Sequence, residues 1–164
     1  MNFLHDIYRL AYIKRYSNIP KLHEESVAEH GFFVAAIVMD LHDTYRFDLG
    51  YALAIAVSHD MPEMELNDAP WIIKEKYPQI KVAFDVCERE VAKSLPTACR
   101  EGVLAYDQNK SIETAIVHLA DAIQCKQFAE VEVGLGNKGY MAVVVSNSLE
   151  RIATLKKDLK DHER

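Results

Sequence analysis

The sequence predicts an all-α protein: one helical bundle of about six or seven helices, spanning residues 1–164 as one domain. Three observations carry that expectation. Apolar residues recur at helical spacing in most of the chain. Side chains suited to helix capping stand where those stripes begin: Ser26 with Glu29, Asp48, and Ser111. No run alternates with the two-residue period of a half-buried strand; Val143-Val144-Val145 comes nearest, in a helical setting.

Taken in order, residues 2 to about 14 read as an amphipathic helix on Phe3, Ile7, Leu10 and Ala11. Arg15 to Pro20 breaks the pattern and reads as a loop. The helix opened by Ser26 carries His30, Phe33, Val34, Ile37 and Leu41 on one stripe. Asp48 caps a helix from Leu49 to Asp60 that is apolar nearly all round, so it should be the central one. Pro62 should end it by disfavouring helical geometry at Met61. Glu63 to Pro70 is an acidic loop or broken helix, and Trp71 to Tyr77 a short helix. Residues 79–94 give a stripe of Ile80, Ala83, Phe84, Cys87 and Val91. A shorter helix starts at Pro96-Thr97 and reaches Tyr106, before a turn at 107–109. Ser111 caps a long helix to about Val133, with Thr114, Val117, His118, Asp121, Cys125 and Phe128 facing inward. Gly134 to Asn137 is a sharp stop. A last helix, Tyr140 to about Asp161, presents Val144, Ile152, Leu155 and Leu159.

The bulk composition narrows the function. A net charge of -6 without basic clustering excludes a surface built for a nucleic-acid polymer, while a small anionic substrate fits. Three widely spaced cysteines with no C-x-x-C indicate reduced thiols in a cytoplasmic protein. His5, Asp6 and Arg9 interrupt the N-terminus, which is not a signal peptide. No stretch approaches the roughly 18 apolar residues of a membrane-spanning helix.

The chemistry centres on His59-Asp60, at the end of the apolar run from Tyr51 to Val57. A borderline nitrogen and a hard oxygen at one point suit a divalent transition metal. His30 and Asp121 could complete the set, since both fall on inward faces. Alone, His30 reads as a core histidine bonded to backbone. An Asp in the middle of a buried face, however, is costly unless paired or metal-bound. His118, one turn before Asp121, can either support it or pack as a neutral core side chain. His5, His23, His42 and His162 show no partner pattern and read as surface residues.

The order His30…His59-Asp60…Asp121 resembles the HD phosphohydrolase superfamily. The likeness extends to Arg15-Tyr16, Glu25 to His30, His59 to Glu63, Asp68 to Pro70, Ala120-Asp121, Glu130 and Gly136-Asn137. This set is similar to the 5′-deoxynucleotidase, or YfbR-like, branch and to the related dATP triphosphohydrolases of phages. The departure is Tyr16, where that branch often has Trp after the Arg. The resemblance implies an HD-domain bundle and a Zn, Co or Mn ion on His30, His59, Asp60 and Asp121. It assigns the catalytic carboxylate to Glu63, a second carboxylate near the sugar to Asp68, and phosphate binding to Arg15.

Tyr16, Ile19, Pro70 and Trp71 could then wall the base, and Lys74 could add positive charge by the phosphate or be a plain helix lysine. Trp71 serves equally as a core residue. Two reactions stay open: release of orthophosphate from a deoxynucleoside monophosphate, or of tripolyphosphate from dATP or another deoxynucleoside triphosphate. A non-catalytic nucleotide-sensing module is a third reading, which the presence of Glu63 disfavours. Family analogy implies a homodimer, in the cytoplasm, or the host cytoplasm for a phage protein.

Overall fold

The computed structural model describes residues 2–162, apart from the side chains of residues 71, 72, 161 and 162. It is all helical, and the only bridge outside a helix joins Lys14 to Ser26 among those residues. The segments are α1 (Phe3–Asp6), a 3₁₀ turn (Ile7–Ala11), α2 (Val27–Leu41), α3 (Leu49–Ser58), α4 (Glu63–Leu66), α5 (Trp71–Lys76), α6 (Pro78–Ala92), α7 (Thr97–Gln108), α8 (Ile112–Gly134) and α9 (Tyr140–His162). Six of these, α2, α3 and α6 to α9, have ten residues or more, in line with the expected bundle.

The three expected caps form. Ser26 Oγ accepts from Glu29 N at 3.2 Å, while Glu29 Oε2 accepts from Ser26 N at 2.7 Å. Asp48 accepts from Tyr51 N and Ser111 from Thr114 N. Each satisfies an otherwise orphaned first-turn N–H and fixes where its helix starts.

The centre of the bundle is α8 and not α3. Twelve α8 residues are buried, from Thr114 to Glu132, and α8 packs against α2, α3 and α9. α3 instead leaves Tyr51 and Val57 exposed. Its apolar surface exceeds what its neighbours cover, so composition alone overstated its depth. The main core joins Val34 and Val38 of α2, Ile55 of α3, Ile116 and Leu119 of α8, and Leu159 of α9, all fully buried. Each such aliphatic side chain contributes about 1.5–3 kcal/mol.

Three other expectations shift. The helix over residues 2–14 is instead the short α1 followed by a 3₁₀ turn, with Phe3, Ile7 and Leu10 packed into a core cluster and Leu4, Tyr8 and Tyr12 exposed. The chain beyond it runs extended: Val27 N donates to Ile13 O at 3.0 Å and Arg15 N to Glu25 O at 2.9 Å. On α2 the buried line is Val27, His30, Val34 and Val38, and Phe33 is exposed. On α6 only Val91 and Ala92 are buried, with Ala83 and Cys87 exposed, while Lys81, Asp85 and Glu88 line a cavity.

Candidate metal centre

Three helices bring the site together. His30 sits one turn into α2, Asp121 midway along α8, and His59 with Asp60 just past the last residue of α3. α3 ends at Ser58, earlier than expected. Pro62 does not stop a helix; it lies in helical geometry at the start of α4, and the turn over residues 59–62 lets His59 and Asp60 point to one place. Imidazole nitrogens of His30 and His59 and a carboxylate oxygen of Asp121 lie within 4.8 Å of one another, all buried. Asp60 stands outside that trio but close to it. Its Oδ2 is 3.2 Å from His59 Nε2 and 3.4 Å from His30 Nε2, and Asp121 Oδ1 is 3.4 Å from His30 Nε2.

Two buried atoms here lack a hydrogen-bond partner, His59 Nε2 and Glu63 Oε2. A buried unpartnered polar atom costs about 1–3 kcal/mol, so such a pair facing one space calls for a ligand. His59 Nδ1 donates to Ala56 O at 2.8 Å, which leaves Nε2 with a lone pair for an ion. Two imidazole nitrogens and one or two carboxylate oxygens fit Zn²⁺, Co²⁺ or Mn²⁺ with room for water.

The electrostatics agree with that chemistry. Burial, reinforced by Arg15, holds the His30 pKa down at about 3, so the ring is neutral and able to ligate. Burial also lowers the His59 pKa, but the neighbouring Asp60 outweighs it and the net shift is upward. Burial would raise Asp121, yet Arg151 and the two histidines pull it well below the usual carboxylate range. Asp60 is likewise held low by His59 against its burial. Glu63 moves the other way: burial, then the charges of Asp60 and Asp68, raise it well above normal. The four carboxyl groups thus divide by direction: Asp60 and Asp121 are lowered, Glu63 and Asp68 raised.

A second ring of contacts was not legible in the sequence. Asp121 Oδ2 accepts from Tyr106 Oη at 2.9 Å and Arg151 Nη2 at 3.0 Å. His118 packs on the Tyr106 ring, centroids 4.1 Å apart, with Nε2 3.1 Å from Tyr106 O, so it reaches Asp121 through Tyr106. Arg15 Nη1 donates to Glu25 Oε2 at 2.9 Å and Gln124 Oε1 at 3.0 Å, while Nη2 reaches Cys125 Sγ at 3.4 Å. Tyr106, Gln124 and Arg151 carried no separate sequence signal. Glu132 did: it extends the 121–125–128 stripe by four residues. Its carboxylate accepts from Leu22 N, His23 N and Asn137 Nδ2, whereas Glu130 is exposed and paired with Lys126.

The remaining predicted residues flank the centre. Tyr16 N donates to Asp68 Oδ2 at 3.1 Å, and the Tyr16 ring stacks on Phe128 with centroids 5.3 Å apart. Ile19 joins the same cluster with Phe128, Ala129 and Met141. Pro70 is half-buried at the start of α5; the Trp71 side chain and that of His162 lie outside the described residues. Lys74 Nζ is 3.0 Å from Glu88 and lies over the Phe84 ring. It lines a cavity of about 300 Å³ together with His59, Asp60, Glu63, Lys81 and Arg151.

Helices closing around a His-His-Asp centre define an HD-type architecture, and solved structures share it. A Pyrococcus horikoshii protein superposes with TM-score 0.81 at 26% identity, over 96% of this chain and 92% of that one. A Listeria innocua HD-domain phosphohydrolase gives 0.76 at 20%, over 96% and 84%. The HD phosphohydrolase DatZ of cyanophage S-2L, bound to dA and one catalytic Zn²⁺ ion, gives 0.70 at 16%, over 96% and 94%. No curated protein sequence matches. The chain belongs to the 5′-deoxynucleotidase YfbR-like family, whose model matches residues 2–160. It is therefore a hydrolase of the HD phosphohydrolase type. Among the described residues, no helix is long and apolar enough to cross a membrane.

Proposed function

We propose that this chain is a metal-dependent 5′-deoxynucleotidase that hydrolyses 2′-deoxynucleoside monophosphates to deoxynucleoside and orthophosphate. The single observation that carries the reading is the buried, partnerless Glu63 Oε2 beside a buried His30, His59 and Asp121 cluster. His30, His59, Asp60 and Asp121 hold the ion, of which Zn²⁺, Co²⁺ and Mn²⁺ are the candidates. DatZ, a structural neighbour, carries Zn²⁺ and a deoxynucleoside. A divalent ion supplies charge stabilisation of phosphoryl oxygens and acidifies water.

The chain's own residues do the rest. Glu63 Oε2 orients the attacking water and, as the carboxylate, takes its proton while the bond from phosphorus to the 5′-oxygen breaks, the proton then passing to that leaving oxygen; its raised pKa strengthens it as the acceptor. Arg15 keeps part of its guanidinium for non-bridging phosphate oxygens, since Nη1 is committed to Glu25 and Gln124 while Nη2 meets only a weakly accepting thiol. Asp68, fixed by Tyr16 N, accepts from a sugar hydroxyl. Tyr16, Ile19, Pro70 and Trp71 line the base side. The pool it acts on is cytoplasmic, and a homodimer is the expected assembly, to be checked by sedimentation.

Removal of the Glu63 carboxylate tests the mechanism. Glu63→Ala should lower turnover by about 10²–10⁴-fold while deoxynucleotide binding, read by calorimetry, persists. Near-wild-type turnover in that variant removes Glu63 from the reaction.

A second reading, a triphosphohydrolase acting on dATP or another deoxynucleoside triphosphate, is favoured by the cavity beyond His59 and Asp60, with Lys74, Lys81 and Arg151 on its walls. Each of those cations already has an acidic partner, Glu88, Asp85 and Asp121, which weakens the case for a longer phosphate tail. Product analysis separates the two: orthophosphate from dNMP substrates supports the first, and tripolyphosphate from dNTPs supports the second.

A further inference from the structure

We infer that Gln124, itself oriented by Glu25, is a positioning residue that fixes which nitrogen of His30 is offered to the metal. The inference rests on the reading of His30 as a metal ligand. Only the nitrogen without hydrogen can ligate, and Nε2 is the one that faces the ion space, 3.4 Å from both Asp60 Oδ2 and Asp121 Oδ1. The hydrogen must therefore sit on Nδ1.

The two histidines solve this differently. His59 Nδ1 faces a backbone carbonyl, Ala56 O, which can only accept, so its form is fixed by the helix itself. His30 Nδ1 faces two groups with opposite demands. Gln124 Oε1, at 2.7 Å, accepts and requires hydrogen on Nδ1. Arg15 Nη1, at 2.8 Å, only donates and would be served by a bare Nδ1, which would put the hydrogen on Nε2 and block the ion.

A count of hydrogens decides between them. Arg15 Nη1 carries two, and it has Glu25 Oε2 at 2.9 Å and Gln124 Oε1 at 3.0 Å as acceptors. Both are used without His30. With hydrogen on Nδ1, that hydrogen and both hydrogens of Arg15 Nη1 have acceptors. With Nδ1 bare, either Glu25 or Gln124 loses its Arg15 hydrogen. The amide cannot turn over to offer its nitrogen to His30, because Gln124 Nε2 donates to Glu25 Oε1 at 2.5 Å. Glu25 thus sets the amide, and the amide sets the imidazole. Gln124 and Glu25 are 3% and 4% exposed, so water does not substitute for either.

Three measurements test this. In metal-free wild-type protein, ¹⁵N chemical shifts should show His30 with Nδ1 protonated and Nε2 bare; the reverse assignment overturns the inference. Co²⁺ titrations followed by visible absorption should show Gln124→Leu binding about 10–100-fold more weakly, with a wild-type helical circular dichroism spectrum. The double variant Glu25→Gln/Gln124→Glu exchanges acid and amide, keeps the net charge and restores an acceptor at Nδ1. It should recover most of the Co²⁺ affinity, which a packing role for Gln124 would not predict. Wild-type affinity in Gln124→Leu sinks the inference while the metal centre stands, whereas a wild-type chain that binds no Co²⁺ sinks both.

Discussion

Asp121 carries a heavy electrostatic demand. It is a buried carboxylate in the middle of the central helix, 7% exposed. Tyr106 and Arg151 hold Oδ2, which leaves Oδ1 toward His30. Without an ion, Arg151 is the only full positive charge among the two groups on Oδ2. Arg151→Met should therefore cost the metal-free protein about 1–2 kcal/mol, discounted because the arginine side chain is 45% exposed. A bound cation would supply the missing charge, so the loss should shrink on loading. Thermal melts with and without Co²⁺ measure this: the Co²⁺-induced rise in Tm should be larger in the variant. Equal rises would mean that Arg151 does not neutralise Asp121. Arg151 also shows the reach of sequence reasoning at this scale. His30, His59, Asp60 and Asp121 stood out because spacing placed each at an inward face or a helix end, and Glu63 through the family resemblance. Arg151 lies on an exposed flank of α9, and its partner depends on the register of α9 against α8, which periodicity does not contain.

Helices α3 and α7 cross at Gly102. A Cβ there would collide with Ser58 Oγ and come within 3.0 Å of Ala54 O and 3.2 Å of Ile55 Cα. The crossing matters for function because Ser58 is the last residue of α3, directly before His59-Asp60. Gly102→Ala should destabilise the fold by about 1–3 kcal/mol, read in urea melts. Adding Ser58→Ala should recover part of that loss, since the backbone contacts remain. Full tolerance of Gly102→Ala would show that the helices can separate without cost. The sequence placed both helices and the Asp48 cap of α3, but nothing in it marked this glycine as a crossing point. The pattern also misread residues 2–14: Phe3, Ile7 and Leu10 do pack into a core cluster with Val27, Met61 and Met64, but the helix is not continuous, and residues 13–15 pair with 25–27 instead. That extended pairing is what delivers Arg15 to Glu25. Past it, the chain adopts positive φ at Tyr16 (54°) and, across the Tyr16–Asp68 hydrogen bond, at Asn67 (62°). Both are uncommon for residues other than glycine, and both lie where the substrate's sugar and base are proposed to sit.

At the scale of the whole molecule, the response to acid depends on groups of opposite sign. His118 is held neutral, its pKa lowered to about 4 by burial and then by Arg151 of α9, against a weaker opposing pull from Asp121. Tyr106 O of α7 and the His59 ring also face it. Its ordinary value is 6.5, so between pH 6.5 and 4 the unfolded chain binds more protons at this site than the folded one. Stability from His118 is thus complete above pH 6.5 and is lost as pH falls toward 4, by about 2–3 kcal/mol. Metal-free His30, lowered to about 3, adds a loss of the same sign. Glu25, Glu63 and Asp68 are raised and act in the other direction: they gain protons in the fold first, and stabilise it as pH falls through their folded values. The wild-type profile is a sum of these terms, so the informative quantity is a difference between two proteins. His118→Phe keeps an apolar ring beside Tyr106 and removes one titrating site. The stability gap between wild type and this variant, measured by urea unfolding, should move in the variant's favour by about 2–3 kcal/mol between pH 7 and pH 4.5. A gap that stays constant across that window would mean that His118 titrates in the fold as it does in the unfolded chain.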